Sequence, residues 1–197
     1  MSQDIAIVQS KSFFKLPFVV NVAQLCKSLE RNSDLFDQHP ERRSAYSSPH
    51  NGMTDIWVRY NAYDRFGDGF NDEHVPVWYP CLRRIPQVLP VVFDIFQFVG
   101  GEMLGGVLIT KLPAGGKIES HVDSGWHAGY YDKFYVPVKN AEGSVFCFED
   151  GVIYPEIGSV YWFNNSVPHW VENNSNEDRI SMIVCIRTME RSINELA

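Results

Sequence analysis

The chain has 197 residues, 45% of them hydrophobic and 14% aromatic, and a formal net charge of −7 at pH 7. This length and composition exclude a disordered chain and predict a single globular domain, 1–197, with a substantial core. The acidic charge argues against nucleic acid as a partner, and no apolar run approaches the ~20 residues of a membrane span. We therefore expect neither nucleic-acid nor membrane binding.

The N-terminus and the cysteines indicate a reducing compartment. The first residues contain no basic segment followed by an apolar one, so no secretory signal is readable. The four cysteines are dispersed and form no C-x-x-C pair, which is typical of reduced, buried thiols. We expect a cytoplasmic protein.

The first fifty residues predict one strand, one helix and a loop. Residues 13–20 are typical of a strand, and Pro17 favours a position at the edge of a sheet or an interruption there. Asn21 can cap a following helix. The apolar positions of that helix have helical spacing and are Val22, Leu25, Cys26 and Leu29. Residues 32–52 are polar, which indicates a loop.

A second strand and a second helix follow. Residues 54–60 alternate like a strand, which places Trp57 and Arg59 on one face, where they could contact a substrate or take part in structural contacts. Residues 61–80 form a long connection rich in glycine and aromatic residues, typical of a lid or a binding loop. Residues 85–99 predict a helix, and its inward positions are Val91, Val92, Ile95 and Phe96.

From Val107 onward the pattern changes to short runs rich in Val, Ile, Phe and Tyr, separated by turn signals. The runs are 107–112, 117–123, 133–139, 144–149, 152–155, 159–164, 169–172 and 179–187. They predict a mainly β protein with a double-stranded β-helix, that is, a cupin-like jelly roll. We expect 107–188 to form this core. Residues 1–106 would supply N-terminal strands, loops on the substrate side, and two or three supporting helices against one outer sheet face.

Three residues of the predicted β region indicate a metal site. Because a strand alternates its faces, His121 and Asp123 point to the same side and Val122 to the opposite layer, while His169 comes from a distant strand. An H-x-D pair alone is a weak signal, since it often lies on a surface. Two imidazoles and one carboxylate together form a facial triad, which leaves three positions of Fe(II) open for oxygen chemistry. We predict that His121, Asp123 and His169 are the catalytic iron ligands.

Polar residues downstream of this triad indicate a co-substrate site. Arg179 lies ten positions after His169, and Ser181 follows on the same strand face. An arginine fork with a hydroxyl beside it suits a small dicarboxylate. His127, just past the triad carboxylate, is either a substrate contact or a solvated side chain. Solvated side chains are also expected for the histidines in earlier predicted loops, His39, His50 and His74.

Two segments of the chain resemble a known family. Residues 110–121 (TKLPAGGKIESH) and 156–169 (EIGSVYWFNNSVPH) resemble parts of the iron site in the aspartyl/asparaginyl β-hydroxylase family. The distal histidine, 48 positions after the first, and the arginine ten further along are spaced as in the free-proline cis-hydroxylases of this group. The resemblance covers about the C-terminal half of the chain.

The resemblance implies a role for each matching residue. The triad would bind iron, and Arg179 would hold the distal carboxylate of 2-oxoglutarate with Ser181 as a helper. Thr110 stands where the family places a hydroxyl on that same carboxylate. Lys133 stands where relatives have an arginine that steadies the other carboxylate, and this is a departure because lysine supplies a point charge without a bidentate fork.

The implied activity is that of a dioxygenase that uses Fe(II), 2-oxoglutarate and O₂ to hydroxylate an unactivated C–H bond. The animal peptide β-hydroxylases lack the ligand carboxylate that this chain has in Asp123, which favours a small-molecule substrate, namely an amino acid or an amino-acid side chain. Residues 61–80 and 124–131, the latter with Trp126 and His127, are rich enough in glycine and aromatic residues to close over a small ligand.

Three alternatives remain open: a hydroxylase of a peptidyl Asp or Asn residue, a non-catalytic cupin-like module that binds a metal or ligand, and a cupin-type dioxygenase without 2-oxoglutarate. Arg179 and Thr110 argue against the last two, because a simple metal-binding barrel has no need of a dicarboxylate clamp beside its metal.

Overall fold

The computed structural model describes residues 12–44, 47–65 and 72–189. Its strands are β1 (Phe13–Val19), β2 (Thr54–Asn61), β3 (Pro76–Trp78), β4 (Gly101–Leu112), β5 (Lys117–His121), β6 (Asp132–Lys139), β7 (Ser144–Phe148), β8 (Gly151–Ile153), β9 (Ser159–Phe163), β10 (His169–Asn173) and β11 (Arg179–Thr188). The α-helices are α1 (Ala23–Arg31), α2 (Glu41–Ser44), α3 (Val88–Phe98) and α4 (Trp126–Tyr130). No helix in the described ranges is long and apolar enough to cross a membrane.

The strands form two antiparallel sheets. The larger has the order β1-β9-β6-β11-β4-β2-β3, and the smaller has the order β5-β10-β7-β8. The eight strands predicted between residues 107 and 187 correspond to β4 through β11 and contribute to both sheets. The prediction of a mainly β jelly roll is therefore confirmed.

The alternation of side chains along β11 explains how one strand serves two purposes. The even-numbered residues from Ile180 to Ile186 are buried in a cluster with residues of α1 and α3. The odd-numbered residues from Arg179 to Cys185 line a cavity on the other side of the sheet. Because β-strand side chains point alternately to opposite faces, the same ten residues secure the helical layer and furnish a polar site.

Two hydrophobic clusters hold the layers together. The first lies between the larger sheet and the helices, and its helical members include Leu25, Leu29, Val92 and Ile95, all essentially inaccessible to solvent. The second lies between the two sheets and contains Tyr135, Phe146, Phe148, Phe163 and Val171. Helices therefore cover one outer face of the larger sheet, as expected. The second cluster lies against a cavity between the sheets.

The N-terminal predictions agree with the structure at several positions. The strand that contains Pro17 is the edge strand β1, and its pairing with β9 is irregular between Lys15 and Val19. The helix begins at Ala23, whose backbone N–H donates to the Asn21 side chain. The polar region 32–52 holds short helical turns rather than a plain loop.

Two strand boundaries differ from the prediction. Strand β4 begins at Gly101 rather than at 107, and its glycines hide this in the sequence. A Cβ at Gly105 would lie 2.8 Å from the Tyr131 ring, so the glycine permits close packing rather than ending the strand. Strand β5 ends at His121, which leaves Asp123 in a loop and Val122 exposed. Of the predicted lid 61–80, residues 66–71 lie outside the described residues.

The face of α3 that packs on the sheet should dominate the stability of the helical layer. Ile95 is fully buried, whereas Phe93 on the same helix is 50% exposed. We expect Ile95→Ala to lower the free energy of unfolding by about 2–5 kcal/mol through lost burial and a residual cavity. Phe93→Ala should cost less than about 1 kcal/mol. Urea denaturation measures both, and equal losses would contradict the packing described here.

Candidate active site between the sheets

A cavity of about 180 Å³ opens between the two sheets. The larger sheet contributes side chains from β2, β4, β6, β9 and β11, and the smaller sheet from β5, β7 and β10. Loop residues, α2 and α4 complete the wall. One water occupies ~10–15 Å³ of such space, so the cavity has room for roughly a dozen water-sized groups. That is the scale of small organic ligands.

His121, Asp123 and His169 come together at the mouth of this cavity. One ligand atom from each lies within 4.8 Å of the others, and His121 Nε2 is 3.7 Å from Asp123 Oδ1. The antiparallel pairing of β10 with β5 places His169 directly opposite His121, with ring centroids 4.4 Å apart. Asp123 reaches the group from the loop after β5, where its backbone N–H donates to the Asn165 carbonyl over 3.0 Å.

Backbone carbonyls orient both imidazoles. His121 Nδ1 donates to the carbonyl of Glu119 over 2.7 Å, and His169 Nδ1 donates to that of Val167 over 2.9 Å. A carbonyl only accepts, so Nδ1 carries the proton and each Nε2 keeps a lone pair. Burial lowers the pKa of His169, which favours the neutral form that binds metals. Fe(II) fits this donor set of two imidazoles and one carboxylate.

A second cluster of polar side chains lies on the larger sheet. Ser181 on β11 pairs in register with Thr110 on β4, and both side chains are buried with Arg179. The Arg179 guanidinium donates to the Tyr135 hydroxyl over 2.8 Å, and its buried Nε has no hydrogen-bond partner. Among the described residues no carboxylate pairs with Arg179. A buried cation without a counter-charge is unfavourable, so this end of the cavity fits a carboxylate ligand.

A second buried cation, Lys133, lies on β6 opposite Cys185 of β11. Its ammonium is 3.1 Å from His127 Nδ1 and 3.4 Å from Cys185 Sγ, and within the described ranges it has no carboxylate partner. Burial, and after it the charge of Lys133, lowers the pKa of His127 well below its ordinary value. His127 is therefore neutral, accepts at Nδ1 and carries its proton on Nε2.

The sequence profile of one family matches this chain over more than half of its length. The family is described as aspartyl/asparaginyl beta-hydroxylase, and the match spans residues 69–188. The chain belongs to this family. It is an Fe(II)- and 2-oxoglutarate-dependent dioxygenase, so the alternative of a non-catalytic module is set aside. No curated protein matches the chain closely.

Several solved structures share the fold. A 2OG-Fe(II) oxygenase family oxidoreductase from Burkholderia pseudomallei has 17% identity and a TM-score of 0.57, over 93% of this chain and 87% of that one. A prolyl-4-hydroxylase from Pseudomonas putida has 14% identity and a TM-score of 0.53, over 94% and 97%. A Trichoplax adhaerens prolyl hydroxylase, in complex with a hypoxia inducible factor peptide, has 10% identity and a TM-score of 0.59, over 98% and 90%.

The four residues expected to contact substrate divide into two pairs. Trp126 and His127, on α4, line the cavity. Trp57 and Arg59 are not part of its wall. Trp57 is 1% exposed in the core beneath the helices, and Arg59 donates to the Leu104 carbonyl and covers the Trp78 ring. The register of β2 against β4 shifts between these two residues, so they do not share the one face that simple alternation predicted. Both make the structural contacts that the sequence had left open as the alternative.

Several wall residues were missed by the sequence analysis, among them Arg42, Tyr60 and Tyr135. His50 and His74, expected to be solvated, are 8% and 5% exposed and also line the cavity. Nothing in the local pattern around these histidines separates them from loop residues. Tyr135 had a weak signal, since β6 carries Lys133 two positions earlier and side chains two apart share a strand face.

His127 should make stability depend on pH. Its folded-state pKa is depressed, so the folded protein leaves it neutral while the unfolded chain protonates it below about pH 6.5. The free energy of unfolding is therefore highest above that pH. Below it, the free energy of unfolding falls by about 1.4 kcal/mol per pH unit for each such histidine. Replacing His127 by Asn should reduce the slope between about pH 6.5 and 5 by that amount. Denaturation of the metal-free protein at several pH values measures it, and an unchanged slope would show that His127 is protonated in the folded state.

Proposed function

We propose that this dioxygenase hydroxylates a C–H bond of a free amino acid. The observation that carries the proposal is one small cavity that joins the His121, Asp123 and His169 donors to a buried arginine, Arg179, which has no carboxylate partner among the described residues. When bound, Fe(II) with 2-oxoglutarate and O₂ supplies the oxidising chemistry. The chain's own residues hold the metal, orient the co-substrate and substrate, and keep water out.

In this proposal Arg179 holds the distal carboxylate of 2-oxoglutarate, and the Thr110 and Ser181 hydroxyls complete its hydrogen bonds. All three side chains are buried and come from the neighbouring strands β4 and β11, which supports a rigid, preformed carboxylate site. Tyr135 keeps the guanidinium in place through its hydroxyl and through its ring, whose centroid lies 5.3 Å from Cζ of Arg179.

Lys133 is proposed to steady the other end of the co-substrate as a point charge. The neutral His127 beside it accepts one of its three N–H donors, which leaves the ammonium oriented but not neutralised. We expect this contact to contribute less than Arg179 does, because a lysine cannot form the bidentate fork of an arginine.

The aromatic wall of the cavity supports a small substrate. Trp126 stacks on Tyr130 at 4.3 Å, and His127 packs against Tyr60 and His74, so α4 and β2 form one aromatic side of the cavity. A peptide would need an open groove, whereas an aromatic wall encloses a compact ligand and excludes water.

We also propose a division of roles within one domain. Residues 107–188 would supply the iron and 2-oxoglutarate contacts, and 1–106 would supply walls on the substrate side. The positions of Arg42, His50 and Tyr60 in the same cavity support this division. The four free cysteines are consistent with our proposal that the protein works in the cytoplasm.

Replacing Arg179 by Ala should weaken the binding of 2-oxoglutarate far more than the binding of iron. A buried, charge-assisted contact costs about 2–5 kcal/mol when truncated, which corresponds to at least ~30-fold. Arg179→Lys should recover only part of this loss. Titrations of Fe(II) and of 2-oxoglutarate measure the two affinities separately, and equal losses in both would indicate a general disturbance of the fold instead.

Free amino acids should stimulate the release of succinate from 2-oxoglutarate, and one of them should gain the mass of one oxygen atom. The test is a panel of amino acids, related acids and short peptides, scored by succinate release and mass spectrometry. If only peptides gain oxygen, the proposed substrate class is wrong, although the dioxygenase assignment stands.

A further inference from the structure

A third cation in the wall of the cavity, Arg42, is not among the residues proposed above to hold iron or 2-oxoglutarate. Arg42, on the short helix α2, lies outside the segment 69–188 that matches the family, and it contacts none of Arg179, Thr110 and Ser181. Its side chain is 30% exposed although it lines a cavity, whereas its partner Asp55 is 2% exposed. The Arg42 side chain is therefore only partly covered by the protein.

Two contacts fix the direction of the Arg42 guanidinium. One terminal nitrogen donates to Asp55 Oδ2 over 3.2 Å, and the other lies 3.2 Å from His50 Nε2. A guanidinium has five N–H donors, and these two contacts use two of them. Because arginine cannot give up its proton, the nitrogen at His50 donates, and the His50 proton lies on Nδ1.

The same contacts place Arg42 close to the metal ligands. The His50 ring stands edge-on to the His121 ring at 4.7 Å between centroids, so a single imidazole separates the guanidinium from a ligand histidine. Arg42, His50 and the ligand His121 therefore line the same part of the cavity wall.

The charges proposed for the loaded site leave one positive charge unbalanced. Arg42 and Asp55 neutralise each other as an ion pair, and Lys133, Arg179 and Fe(II) together carry one positive charge more than Asp123 and a 2-oxoglutarate dianion. A carboxylate on the substrate is the simplest group that balances it, and an arginine fork is the side chain best shaped to hold one.

We infer that Arg42 binds the carboxylate of the primary substrate, so that the substrates are carboxylic acids and their amides are rejected. This inference rests on the proposed function and deepens it. Asp55 and His50 hold the fork in place, and the carboxylate bound there would fix which substrate carbon faces the metal ligands.

The test measures binding without turnover. The full-length protein, loaded with Mn(II) and saturated with 2-oxoglutarate, is mixed with free amino acids and their matched amides, and paramagnetic broadening of the ligand protons is recorded. We expect broadening of at least one amino acid and not of its amide. Arg42→Gln should weaken that binding by about 10- to 100-fold, the range for a charge-assisted hydrogen bond, and Arg42→Lys should be intermediate.

Three controls separate this role from a structural one. Arg83→Gln, at an exposed arginine outside the cavity wall, should bind like the wild type. Arg42→Gln should keep its affinity for 2-oxoglutarate. Asp55→Asn removes the ion pair but keeps the fork, and it should still prefer acid over amide. A purely structural Arg42 would instead give Asp55→Asn the same loss as Arg42→Gln, and that result would overturn the inference.

The outcomes also separate this inference from the proposed function. If amino acids bind through Arg42 but none gains oxygen, the proposed function is wrong and the inference stands. If the wild type broadens amides as strongly as acids, or broadens no acid at all, the inference is wrong, whatever compound is later found to be hydroxylated.

Discussion

The antiparallel pairing of β10 with β5 is the constraint on which the site depends. It sets His169 opposite His121, and each ring is then held by the carbonyl two residues before it in the chain. Side chains on a β-strand have few other ways to turn once Nδ1 is engaged, so both Nε2 atoms face the cavity. Asp123 lies in the loop after β5, and the hydrogen bond from its backbone N–H to the Asn165 carbonyl fixes that loop. A slip of one residue in this register would turn one histidine to the opposite face.

The charge of the cavity wall is opposite in sign to the net charge of the chain. The chain is acidic overall, yet among the described residues the wall holds three cations, Arg42, Lys133 and Arg179, and one carboxylate, Asp123. Keeping cations buried has an energetic cost that anionic ligands relieve. The co-substrate and an acidic substrate would therefore stabilise the folded protein as well as fill the site.

The sequence predicted the fold and the site residues well where local periodicity reflects burial. It predicted them less well where a contact joins residues that are far apart in the chain. Alternation predicted the strands of the jelly roll and the shared face of Arg179 and Ser181, because every second residue of a strand faces the same layer. It could not show the register shift in β2 between Trp57 and Arg59, so it placed the two side chains on one face. The contact between Arg42 and Asp55 joins a polar segment to a strand, and no pattern within either segment predicts it.

The most direct test of this account is anaerobic titration of the Fe(II)-loaded protein with 2-oxoglutarate, monitored by visible absorption. Chelation of Fe(II) by 2-oxoglutarate gives a charge-transfer band, which the wild type should show at saturation. His169→Ala should lose the band along with iron binding, while Arg83→Gln, altered at the surface, should keep it. A wild-type protein that binds Fe(II) and 2-oxoglutarate without this band, or a His169→Ala variant that shows it unchanged, would contradict the assignment of His121, Asp123 and His169 as the metal site.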